Sequence, residues 1–137
     1  MTLRAQNAAV LVVEDEALIR SVAAESLLDA GITSYEAADS EEALEVLEQH
    51  PDIGIVFTDV NMPGRMDGLH LAGRVHELRP DVELIVTSGR EAVTDRDLPD
   101  HGTFLPKPYR LRELIELVGT KIREGSRKRR HALSRAH

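Results

Sequence analysis

The chain contains no cysteine and no tryptophan, and only two tyrosines and two phenylalanines stand among its 137 residues. Without cysteine there are no disulfides and no thiolate metal ligands, which fits a reducing compartment. Aromatic residues make up 3% of a chain that is 42% hydrophobic, so its core must be built from Val, Leu, Ile and Ala. No apolar run approaches the roughly 20 residues that span a bilayer, and Met1–Asn7 lacks the charged-then-apolar pattern of a signal peptide. These absences lead to the expectation of a cytoplasmic protein with no membrane partner. The length suits one domain, large enough to bury roughly two-thirds of its unfolded surface.

The net charge of −7 hides a division. Residues 1–122 carry −12, whereas residues 123–137 carry +5 from Arg123, Arg127, Lys128, Arg129, Arg130 and Arg135 against Glu124 alone. The body repels nucleic acid, while the terminal stretch can touch an acidic surface or lie solvated and mobile. The expected organisation is an N-terminal arm at 1–7, a folded domain at 8–124 and a basic C-terminal tail at 125–137.

Apolar runs and helical patterns alternate along the whole body. The runs at 8–13, 53–57 and 84–86 are nearly all apolar, as strands buried on both faces should be. The run Thr33 to Ala37 is more polar and suits a sheet edge. Between them, Leu18, Ile19, Val22, Ala23, Leu27 and Ala30 share one helical face, with Gly31 as a stop. Asp39 or Ser40 can cap a second helix with Ala43, Leu44, Val46 and Leu47 inward, and a third turns Leu71, Ala72, Val75 and Leu78 inward before Pro80. The last runs from about Arg110 to Glu124 on the stripe Leu111, Leu114, Ile115, Val118 and Ile122. Residues 90–102 hold few apolar side chains and the breakers Pro99 and Gly102, so the crossover there should be a short or irregular fourth helix and the least ordered part of the body. Repeated strand–helix units imply an α/β fold: a parallel sheet with helices on both faces.

The chemistry gathers where the strands end. Glu14 and Asp15 close the first buried run, Asp59 the next, Thr87 another and Lys107 the last. Parallel strands share a carboxyl edge, where open α/β sheets place ligands. Taken singly, Asp15 serves equally as an N-cap, Asp59 as a loop residue, Thr87 as a turn cap and Lys107 as a solvated charge. Together they are suited to a divalent cation and a phosphoryl group. The six histidines show no paired metal spacing, and Asp67-Gly68 reads as a turn and cap.

Over residues 8–122 the chain resembles the receiver domain of two-component response regulators, including the stand-alone chemotaxis regulators. The matching motifs are Val12-Val13-Glu14-Asp15-Glu16, Thr58-Asp59-Val60-Asn61-Met62-Pro63 followed by Met66-Asp67-Gly68, Val86-Thr87-Ser88, and Lys107-Pro108-Tyr109. The resemblance implies a flavodoxin-like, five-stranded sheet of order 2-1-3-4-5 and a cis Lys107–Pro108 peptide. It also implies phosphoryl acceptance on Asp59 from a histidine kinase or phosphotransfer protein, with no enzymatic role beyond assisting the domain's own phosphorylation and dephosphorylation. Crowded carboxylates call for a hard cation, and Mg²⁺ is the usual one. Asp15, Asp59 and the Asn61 carbonyl would bind it directly, and Glu14 through water. Lys107 and Thr87 would hold the remaining phosphoryl oxygens. Thr87 and Phe104 would form the switch, although Phe104 reads equally as an ordinary core residue. The expected output surface comprises residues 90–106 and the last helix.

Three departures from the family pattern stand out. Gly64-Arg65 lengthens the loop after Asp59, the 90–102 segment is weak, and Phe104 stands where tyrosine is frequent. The function expected is a single-domain regulator signalling by protein contact. Alternatives are a phosphate sink, the receiver of a hybrid histidine kinase, and a nucleic-acid-binding regulator using the basic tail. A Mg²⁺-dependent aspartyl phosphatase would need a second Asp two positions after the nucleophile, and that position is Asn61.

Overall fold

Short β-branched and aliphatic runs form five parallel strands in the computed structural model, which describes residues 9–89, 95–99 and 102–135, with residues 95 and 126–135 as backbone alone. They are β1 (Ala9–Val13), β2 (Ser34–Ala37), β3 (Ile53–Asp59), β4 (Glu83–Ser88) and β5 (Gly102–Pro106). Their order is β2-β1-β3-β4-β5, as the resemblance implies. Every residue of β1, β3 and β4 is buried, because both faces of the inner sheet are covered. The register sets Val13 beside Ala37 and Thr58, Asp59 beside Thr87, and Ser88 beside Pro106. The carboxyl ends of the strands therefore form one edge.

Four α-helices are described: α1 (Ala17–Asp29), α2 (Ser40–Gln49), α3 (Gly68–Leu78) and α4 (Leu111–Arg135). On one face of the sheet α2 and α3 bury Ala43, Leu47, Leu71, Ala72 and Val75 against Leu11, Val56 and Leu84. On the other, α1 and α4 bury Ala23, Ala24, Leu27, Leu114 and Val118 against Val10, Ile55 and Ile85. Burying a Leu, Ile or Val side chain contributes about 1.5–3 kcal/mol, so these two layers are the main source of stability. Asp39 is the cap of α2: its carboxylate accepts from the Glu42 amide at 2.8 Å. Gly31 stops α1 at a φ of +84°, a conformation that glycine adopts without strain.

The buried face of α1 differs from the apolar stripe in the sequence. Ala23, Ala24 and Leu27 face the sheet, while Leu18 is 77% exposed and Ile19 and Val22 are also exposed. Arg20 explains the rotation: its guanidinium donates to the Glu14 carbonyl at 2.8 Å and to Glu36 at 3.1 Å. A stripe containing an arginine is not chosen on hydrophobicity alone. Leu78, expected inward, is also exposed at the end of α3.

The last helix does not stop near Glu124. It continues as α4 to Arg135, through what reads in the sequence as a tail. Between β4 and β5 the described residues hold a single 3-10 turn, Asp95–Asp97. Residues 90–94, 100 and 101 lie outside the described residues, and with them most of the expected fourth helix and the expectation of its low order.

Candidate phosphoryl-acceptor site

Asp59 ends β3 and is 5% exposed, yet both of its carboxylate oxygens are engaged. Oδ1 accepts the Asn61 amide at 3.0 Å, and Oδ2 accepts the Lys107 ammonium at 2.5 Å. Lys107 is placed by β5: its amide donates to the Ser88 carbonyl at 3.1 Å, and the peptide to Pro108 is cis. Burial would lower the Lys107 pKa, but the bond to Asp59 and the charges of Asp59, Glu14 and Glu16 outweigh it and hold the pKa above the ordinary lysine value.

Glu14 follows β1, tied to β2 by its amide bond to the Ala37 carbonyl at 3.1 Å. Its carboxylate is buried and accepts the Glu16 amide at 3.0 Å. Burial raises its pKa to about 7; the bond from Glu16 opposes this, while Asp15 and the charge of Asp59 add to it. Asp15 is exposed beside it. Thr87 is next to Asp59 in the sheet, 2% exposed, and its hydroxyl has no partner among the described residues. A buried hydroxyl left unpaired costs free energy unless a ligand uses it.

The strand ends thus bring Glu14, Asp59, Thr87 and Lys107 to one crevice, with Asp15 and Asn61 at its exposed rim. Phe104 lies half-buried on β5, paired with Val86 and set back from the edge. The oxygen donors fit a hard cation, since a buried glutamate made harder to ionise by a neighbouring aspartate gains from a positive charge. Among the described residues no three acidic or histidine side chains already form a cation cage. A carbonyl and water would have to complete the coordination.

Hydropathy and motif spacing do not reveal what several supporting residues do. Gly68 begins α3 directly against the Asp59 main chain, where a Cβ would meet the Asp59 carbonyl. Tyr109 packs edge-on to Phe57, with ring centroids 5.8 Å apart, and its pKa is raised by burial and then by Glu14 and Asp59. Leu18, Ile19 and Val22 border an open groove of about 750 Å³ together with Lys107, Tyr109 and Leu111. The lengthened loop at Gly64 has a φ of +97° and is fastened by the buried Ser40 hydroxyl, which donates to the Met66 carbonyl at 2.9 Å. No helix among the described residues is long and apolar enough to cross a membrane.

Comparison with known proteins agrees with this geometry. Residues 10–119 match the family model for the response regulator receiver domain. The chain is 33% identical to the response regulator receiver protein CpdR of Brucella abortus, over 80% of this chain and 92% of that one. It is 40% identical to the sensor kinase CckA of the same organism, over 82% of this chain but 12% of the kinase. A solved receiver domain from the hybrid histidine kinase CckA superposes with a TM-score of 0.71 at 36% identity, covering 83% of this chain and 98% of that one. Receiver domains are modules of two-component signalling and not enzymes of the usual kind. This chain belongs to the response regulator receiver domain family.

Proposed function

We propose that the protein is a cytoplasmic response regulator whose receiver domain accepts a phosphoryl group on Asp59. The observation that carries this reading is the buried Asp59 carboxylate paired with Lys107 beside the Thr87 hydroxyl, which has no partner among the described residues. An Asp59 oxygen attacks the phosphorus of a donor phosphohistidine. The new O–P bond forms as the N–P bond breaks, and the imidazole leaves with a proton taken from solvent. Lys107 releases Asp59 to neutralise a phosphoryl oxygen, and Thr87 supplies a hydrogen bond to another. Asp15, Asp59 and the Asn61 carbonyl would hold Mg²⁺, with Glu14 acting through water. Bound there, the ion offsets charge on the phosphoryl oxygens.

The donor is a histidine kinase or a histidine phosphotransfer protein. The exposed apolar patch of Leu18, Ile19 and Val22 beside Lys107 is the surface on which such a donor would dock. The phosphoryl group adds about −2 charge, drawing Thr87 inward and rebiasing Phe104. The change is read by a downstream protein on the surface formed by β5, the segment before it and α4. Residues 8–124 constitute the signalling domain, and phosphoryl transfer needs nothing from the basic segment after it. A second reading, a receiver working with or within a hybrid kinase, draws on the 40% identity with CckA.

Labelling by a small acyl-phosphate donor and by a histidine kinase tests the proposal. Wild-type protein should take up Mg²⁺-dependent, base-labile label, and Asp59→Asn should take up none. Undiminished label on that variant would end this reading.

A further inference from the structure

One face of α2 carries Glu41, Glu45 and Glu48 at helical intervals of four and three. All three are exposed and lack a cationic partner among the described residues. Glu45 and Glu48 border a groove of about 600 Å³ between α2 and α3, with an apolar floor that includes Leu44, Pro51 and the exposed Leu78. The groove's own cations are already committed. Arg74 pairs with Glu77 at 2.9 Å, and Arg79 donates to the carbonyls of Pro51 and Ile53 at 3.3 and 2.7 Å. What remains is an apolar trough beside a row of three glutamates that have no cationic partner among the described residues.

The chain holds a segment of opposite charge and matching period. Arg123, Arg127 and Arg130 recur along α4 at the same intervals as the three glutamates, with Lys128 and Arg129 between them. This part of α4 follows Ile122, which packs on the core. Residues 123–135 extend the helix by roughly 20 Å. Residues 1–122 carry −12 and residues 123–137 carry +5, so the segment complements its own body.

The topology prevents one molecule from satisfying itself. The groove is on the α2–α3 face of the sheet and α4 on the other. Helices that connect parallel strands return antiparallel to them, so the C-terminal halves of α2 and α3 lie at the amino edge of the sheet. There α4, starting at the carboxyl edge, also leaves the body. An uninterrupted helix passing that edge continues away from its own groove. A second copy related by a two-fold axis, amino edge to amino edge, can offer its groove to this segment and receive the same contact in return.

We propose that residues 123–135 of α4 dock in the α2–α3 groove of a second copy, forming a two-fold dimer at the end of the domain opposite Asp59. The claim is independent of the phosphoryl chemistry. Sedimentation equilibrium of the full chain tests it at two salt concentrations. Between 0.1 and 1 M salt the screening length falls from about 10 to about 3 Å, and the dimer dissociation constant should rise on the order of tenfold or more. The double variants Glu45→Lys/Glu48→Lys and Arg127→Glu/Arg130→Glu should each be monomeric at 0.1 M salt. Mixed in equal amounts they should form a heterodimer, because both reciprocal contacts are then complementary again, a recovery that misfolded variants could not give. A monomeric wild type at 0.1 M salt, or a dimer untouched by either reversal, overturns the proposal. So does a monomer that binds a DNA duplex through the same arginines, which would assign the segment to nucleic acid.

Discussion

A Cβ on Gly68 would overlap the Asp59 main-chain oxygen outright and stand 2.8 Å from its carbonyl carbon. The Gly68 amide also donates to the Val60 carbonyl at 2.9 Å, so the first turn of α3 rests on the peptide that follows the acceptor. Only a residue without a side chain allows that approach.

Gly68→Ala should therefore push the end of β3 away from α3. Overpacking of this kind costs about 1–3 kcal/mol, and displacing Asp59 should slow its labelling by on the order of tenfold to a hundredfold. Gly73→Ala is the internal control, since a Cβ there meets nothing within 4 Å. It should leave labelling unchanged and raise stability by about 0.5–1 kcal/mol. Equal labelling by both variants would contradict the role given to Gly68.

Stability without added metal should fall as pH rises from about 4.5 to about 7. Glu14 binds its proton more tightly folded, at about 7, than unfolded, near the ordinary glutamate value of 4.5. Below that window both states are protonated and folding carries no penalty. Within it the native state holds more protons, so the free energy of unfolding declines with pH. Urea unfolding at pH 5 and pH 8 measures the difference. Glu14→Gln should flatten it and be more stable than wild type at pH 8.

Mg²⁺ affinity should depend more on Asp15 than on Glu14. Asp15 stands at the exposed rim, where a cation can reach it directly, whereas Glu14 is buried and already accepts the Glu16 amide. Asp15→Ala should weaken Mg²⁺ binding by on the order of tenfold or more, beyond the loss from Glu14→Gln, as measured by calorimetric titration. The reverse ranking would reassign the ligands.

Lys121 and Glu83 form a buried ion pair at 3.1 Å, with residue exposures of 6% and 8%. Lys121→Ala removes the ammonium from a buried carboxylate and should cost about 3–5 kcal/mol. Replacing both, as Lys121→Met with Glu83→Leu, should bring stability back to within about 1–2 kcal/mol of wild type or above it. Denaturant midpoints of the single and double variants decide the matter. A double variant as unstable as the single one would show that the pair does more than satisfy itself.

The alternation of buried runs with amphipathic segments determined the strands, their parallel arrangement and the residues at their ends, because two-sided burial and helical period are local properties of a chain. Glu14, Asp59, Thr87 and Lys107 were legible for that reason: each lies within one residue of the end of a strand that the alternation of buried runs and helices marks. The tertiary structure decided what depends on distant neighbours. Arg20 turns α1 so that Leu18, Ile19 and Val22 face outward, through bonds to Glu14 and to Glu36 on another strand. Gly68 reads as a turn until α3 is set against β3. Lys121 carries no signal in the sequence, and its role exists only once α4 lies over the start of β4, where Glu83, 38 residues earlier, comes within 3.1 Å. Hydropathic periodicity records which side of a segment avoids water. It does not record which polar group will find a partner across the fold, since that pairing exists only once separate elements have packed.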